Sequence, residues 1–120
     1  MQTVVVTKAF VRAAERAGMS EDDVDKLIDF VARNPMAGDE IQGTGGCRKL
    51  RVAGHGKGKS GGYRVISFFS GPNIPLFLIT MFSKGDRSDL SKGERNVLAT
   101  LTKELVGEYS RRAVKAGERR

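Results

Sequence analysis

The sequence predicts one small α+β domain, an antiparallel sheet with its helices packed on one side, in the order β-α-α-β-β-β-α. Three observations carry this. Two segments place apolar residues at helical spacing behind a serine with an acid three residues on. A run that alternates cations with apolar residues and two β-branched and aromatic runs follow one another with short connections, the pattern of a meander. The 120 residues hold no internal repeat and no linker long enough to separate domains.

The elements follow in order. Thr3–Thr7 is β-branched and reads as a short strand. Thr7 is placed to cap a helix that runs to about Ala17 and is stopped by Gly18. Ser20 with Asp23 resembles a capping box, and Val24, Leu27, Ile28 and Val31 give the stripe of a second helix. Asn34-Pro35 ends it, because the residue before proline avoids helical backbone. Residues 36–46 read as an ordered, glycine-containing loop.

Cys47–Val52, Tyr63–Ser70 and Leu76–Ser83 are three successive strands, the last two split by the turn former "GPNIP". Ser91 with Glu94 is a further capping box. It opens a C-terminal helix whose stripe is Val97, Leu98, Leu101, Leu105 and Tyr109. Residues 1–110 are expected to form the domain, and 111–120, "RRAVKAGERR", a basic frayed tail.

Composition narrows the function. Hydrophobic residues make up 39% of the chain, enough for one modest core. No stretch approaches the roughly 18 uncharged apolar residues of a membrane helix. The N-terminus is soon charged, unlike a signal peptide. One cysteine, Cys47, and one histidine, His55, complete neither an internal disulfide nor a zinc site. A cytoplasmic protein without metal or cofactor is the expectation.

The net charge of +7 is unevenly distributed. No Asp or Glu lies between Ile41 and Gly85, while that stretch carries seven cations: Arg48, Lys49, Arg51, Lys57, Lys59, Arg64 and Lys84. Such a patch points to a polyanionic partner, nucleic acid before a membrane surface.

Five glycines and two lysines crowd the front of "GHGKGKSGGYRVISFF", residues 54–69. A nucleotide-binding P-loop does not fit. Counting back from Gly58-Lys59-Ser60 reaches Ala53 where glycine is needed, and a strand follows where a helix is needed. The segment reads better as a hairpin loop whose glycines allow close approach and whose lysines reach for phosphate. Period two puts Lys49 and Arg51 on one face of the preceding strand. Arg64 begins the next strand and Lys84 ends the third, so pairing in order brings these cations toward one end of the sheet.

His55 has the pKa range of a general base, although a lone loop histidine is more often without chemistry. Cys47 has no evident base beside it. Phe68, Phe69 and Phe77 read as core, and Tyr63, beside the glycines, as the residue to stack on a base.

"NPMAGDEIQGTGGCRKLRVAGHGKGKSGGYRVISFF" followed by "FLITMFSKGDRSDLSKGE" resembles the RelE superfamily of bacterial toxins, especially the HigB-type branch of type II toxin–antitoxin systems. The likeness spans roughly residues 3–108 and rests on the "GTGG" loop, the "GKGKSGGYR" loop and the "K..RSDL" ending. It implies a microbial-RNase-like fold, ribosome-dependent cleavage of mRNA, and neutralisation by a small antitoxin, often a helix-turn-helix protein. Carried over by motif, the strand cations are Lys49 and Arg51, the "GYR" arginine is Arg64, and the basic residue after the last strand is Lys84. Lys57 and Lys59 belong to the longer loop of the HigB-type branch. Some members carry a C-terminal tyrosine in the site; the position after "RSDL" here is Ser91.

Metal-free RNA cleavage needs a base for the 2′-OH, cations for the phosphorane and an acid for the leaving oxygen. The expected catalytic set is therefore Arg64 and Lys84 on the phosphate, with Lys59 or Lys57 in proton transfer or phosphate binding. Arg48, Lys49, Arg51, His55, Tyr63 and Arg87 are the expected RNA contacts. Two rivals stand beside this reading: a ParE-like gyrase-poisoning toxin, and a module that binds RNA without cutting it.

Overall fold

Side-chain caps set the helix starts. In the computed structural model, which describes residues 1–54, 62–87 and 89–118 with side chains described as far as Ser110, Thr7 caps helix α1, Lys8–Ala17. Its hydroxyl accepts the Phe10 N–H and also donates to the carbonyls of Leu78 and Ile79. One threonine thus starts the helix and fastens it to the sheet. Ser20 accepts the Asp23 N–H and starts α2, Glu21–Arg33, which stops at Asn34 before Pro35.

The sheet has five strands in the order β1-β5-β4-β3-β2. They are β1 (Val4–Val6), β2 (Asp39–Glu40), β3 (Cys47–Val52), β4 (Tyr63–Phe68) and β5 (Leu76–Ser83). The expected meander β3-β4-β5 is antiparallel throughout. Two features go beyond the expectation. β1 enters parallel to β5, with Val4 opposite Leu76. The segment read as a loop contains β2, which pairs Asp39 with Lys49 and Glu40 with Arg48. A strand of two charged residues has no period to betray it, and opposite charges across the ladder favour the pairing.

β4 is buried along its whole length because both faces of the sheet are covered. On one face α1 and α2 bring Phe10, Ala13, Leu27 and Val31 against Tyr63, Val65, Leu78 and Met81. This is the helical layer that the sequence implies. On the other face lie Cys47, Ile66, Phe68, Phe77 and Phe82, and here Leu98, Leu101 and Leu105 of α3, Lys92–Glu118, pack. The Phe77 and Tyr109 rings meet edge to face at 5.9 Å. Val97 lies outside that contact. It is 67% exposed, because adjacent helix positions point about 100° apart and Leu98 takes the inward one. The helical backbone of α3 also continues through the segment expected as a tail.

The "GTGG" motif seats α3. Buried Thr44 donates to the Ile41 carbonyl at 2.6 Å and accepts the Cys47 N–H at 3.1 Å. Its own carbonyl accepts from the Thr102 hydroxyl at 2.8 Å. Gly45, at φ 78, lies so near Thr102 that any Cβ would collide with the hydroxyl. Among the described residues no helix is long and apolar enough to cross a membrane.

Candidate nucleic-acid interface

Alternation along β3 divides its basic residues between the two faces. Leu50 and Val52 join the core under α1 and α2, while Cys47 joins the core under α3. Lys49 and Arg51 share the face of Cys47; Arg48 lies on the opposite one. Arg48 donates to the Gly38 carbonyl at 3.0 Å and stands across from Glu40. Arg48 thus ties the segment just before β2 to the sheet, on the face away from Lys49 and Arg51.

Three cross-strand rows then describe the α3 face. The first, Cys47 with Phe68 and Phe77, is buried under the helix. Lys49, Ile66 and Thr80 form the second, and Arg51, Arg64 and Phe82 the third. Apolar cover thus gives way to cations along two of the strands: Lys49 and Arg51 follow Cys47 on β3, and Arg64 stands two residues from Ile66 on β4. Arg51 is exposed, but Arg64 is only 7% exposed and its guanidinium donates to the Tyr63 carbonyl at 3.2 Å. Two arginines face each other across the ladder, a like-charge pairing that disfavours the sheet.

Arg87 completes the third row. Its guanidinium carbon lies 4.6 Å from the centre of the Phe82 ring. Lys84 is exposed, and its N–H donates to the Gly62 carbonyl at 3.1 Å, so β5 ends at the root of the β3–β4 loop. Only glycine fits at that root: Gly62 has φ 66, and a Cβ there would run into the Val52 carbonyl. The rest of the loop, with His55, Lys57 and Lys59, lies outside the described residues.

Tyr63 is corrected. It is 1% exposed and sits in the core with α1 and α2, so its ring has no face to offer a base. Being next to Arg64 in a strand sends it to the other side of the sheet. Cys47 is buried under α3, and burial pushes its thiol up to about 11, leaving no nucleophilic thiolate at neutral pH.

Two acids lie at the rim that the sequence did not place at the site. Asp89 lies 3.4 Å from the Lys49 ammonium. The Leu90 N–H and then Lys49 hold its carboxyl below the usual range. Glu94 accepts the Ser91 N–H at 2.8 Å and pairs with Arg87 at 2.7 Å; both hold its carboxyl low, the N–H most. Each acid is therefore ionised and weakly basic, better suited to orient cations than to take a proton. The capping box was a legible sign that Glu94 would be fixed; nothing local marks Asp89 as the partner of Lys49.

The interface is a row of cations at the open end of a sheet, set beside a loop rich in glycine and lysine. Over residues 2–117 the sequence matches the family model of the RelE toxin of the RelE/RelB toxin–antitoxin system. With this match across nearly the whole chain and an α+β fold consistent with it, the protein belongs to the RelE toxin family, the toxin side of a toxin–antitoxin pair.

Proposed function

We propose that this toxin is a ribosome-dependent, metal-independent mRNA endoribonuclease of the HigB-type branch, active in the cytoplasm and held in check by a helix-turn-helix antitoxin. The observation that carries the reading is the Arg51–Arg64 pair, like charges opposed across two strands with Arg64 buried. A bridging phosphate would relieve that repulsion, and a phosphorane, with more charge to spread, would relieve it further.

In the proposed reaction the 2′-oxygen attacks the adjacent phosphorus. The O2′–P bond forms, the P–O5′ bond breaks, and the products are a 2′,3′-cyclic phosphate and a 5′-hydroxyl. A base takes the 2′-OH proton and an acid returns one to O5′. Arg64 and Lys84 stabilise the phosphorane, and Arg51 and Lys49 grip the flanking backbone. Proton transfer falls to Lys57 or Lys59, since the rim carboxylates are committed to cations. A lysine is a poor base unless neighbouring cations lower its pKa. The ribosome would compensate by holding the mRNA in line, a contribution worth up to about 7–11 kcal/mol.

The test compares purified toxin on one mRNA with and without translating ribosomes, in the presence of a chelator and over a range of salt. Cleavage only with ribosomes, undiminished by the chelator, is expected. Equally fast cutting of naked RNA would refute ribosome dependence. RNA bound but never cut would favour the binding module, and poisoned supercoiling in place of cleavage would favour the gyrase reading.

A further inference from the structure

Arg87 is held differently from a cation that seeks phosphate. Its guanidinium lies on the Phe82 ring at 4.6 Å, and Nη1 donates to Glu94 Oε1 at 2.7 Å. That carboxylate oxygen also accepts the Ser91 N–H at 2.8 Å, so the clamp is itself fixed at the first turn of α3. The ion pair cancels the charge that would draw a phosphate. What remains is a flat group, held against the Phe82 ring and by one edge, with 40% of the side chain open to solvent. Guanidinium planes are surfaces on which unpaired RNA bases stack.

The position suits such a role. Phe82 is the cross-strand partner of Arg64. Neighbouring strands are about 4.8 Å apart, so the ring that carries Arg87 belongs to the residue directly beside Arg64 in the sheet. Tyr63, the aromatic nearest the loop in sequence, is buried on the other side of the sheet and cannot serve.

We propose that Arg87, stacked on Phe82 and clamped by Glu94, is a platform for one unpaired RNA base beside the phosphate held by Arg64. The inference rests on the RNA-binding reading of this face and adds a base subsite to it. A platform depends on the plane of the guanidinium, whereas a phosphate contact depends on its charge. Arg87→Lys keeps the charge and removes the plane.

The experiment measures binding of the purified protein to a short single-stranded RNA made uncleavable by 2′-deoxy substitution. A set of the same oligomer, each with one abasic position, is titrated in parallel over a range of salt. On the intact oligomer Arg87→Lys is expected to bind about five- to tenfold more weakly, near the low end for loss of one base stack, with the salt dependence unchanged. On one abasic oligomer, parent and Arg87→Lys should bind alike. Arg51→Gln should weaken binding to every oligomer and lower the salt slope by about 0.7. Parent-like binding by Arg87→Lys, or an equal loss on all oligomers, overturns the platform while leaving the RNA interface standing. If the parent binds no RNA, or Arg51→Gln costs nothing, the interface reading falls and the platform with it.

Discussion

Replacing an arginine of the facing pair should move activity and stability in opposite directions. Arg51 and Arg64 are direct cross-strand partners. Like charges on directly opposed side chains cost up to about 1 kcal/mol. Arg51 is the exposed member, so Arg51→Gln removes the repulsion without emptying a buried site. The variant should be more stable by a few tenths of a kcal/mol to about 1 kcal/mol, a rise in Tm of about 1–4 °C for a domain of this size. Its toxicity should fall. Arg64→Gln, at the more buried position, should lose about 10²–10³ in cleavage rate, the usual cost of one preorganised charge at a transition state. The assays are a thermal melt at low and high salt and single-turnover cleavage on programmed ribosomes. The gain in Tm for Arg51→Gln should shrink as salt screens the pair. A Tm that drops for Arg51→Gln, or an Arg64→Gln variant that is folded and cleaves within tenfold of the parent, would refute the idea that this pair is kept for an anion.

Thr102→Val keeps the shape of the side chain but removes the hydroxyl that donates to Thr44 and seats α3. It should cost about 1–3 kcal/mol, read as a fall in Tm of roughly 4–10 °C. Lys84→Ala should abolish growth arrest on expression while leaving the melting curve close to that of the parent, since the side chain is exposed. Cys47 should resist alkylation in the native protein at about pH 8 and react once the chain is unfolded, because the buried thiol stays protonated. With its folded value at about 11 against an ordinary 9.0, folding favours the protonated thiol. Stability from this group is complete below the unfolded value and is lost as the pH rises from there toward the folded one, which a pH series of denaturant melts would detect.

Local chemistry is what the sequence by itself determined. Thr7, Ser20 and the Ser91–Glu94 box mark helix starts because a capping hydroxyl needs only the N–H two or three residues on. Leu76–Ser83 is legible to the residue because a β-branched and aromatic run between turn formers admits few other conformations, and Cys47–Val52 because its cations alternate with apolar residues. Of the cations between Ile41 and Gly85, Lys49, Arg51 and Arg64 come to one face of the sheet, because the meander pairs its strands in chain order.

Only the tertiary structure decided which cations lie together. Period two says that Tyr63 and Arg64 point to opposite faces; it does not say which face each helix covers. Packing α1 and α2 against Tyr63 buries the tyrosine and leaves Arg64 on the other side with Arg51. The same alternation removes Arg48 from the group. Lys49 finds Asp89, and Arg87 finds both Phe82 and Glu94, because the α3 N-terminus closes onto the sheet from far along the chain. Pairings of this kind leave no local signature, since their energy comes from the packing of distant elements rather than from the conformation of neighbouring residues.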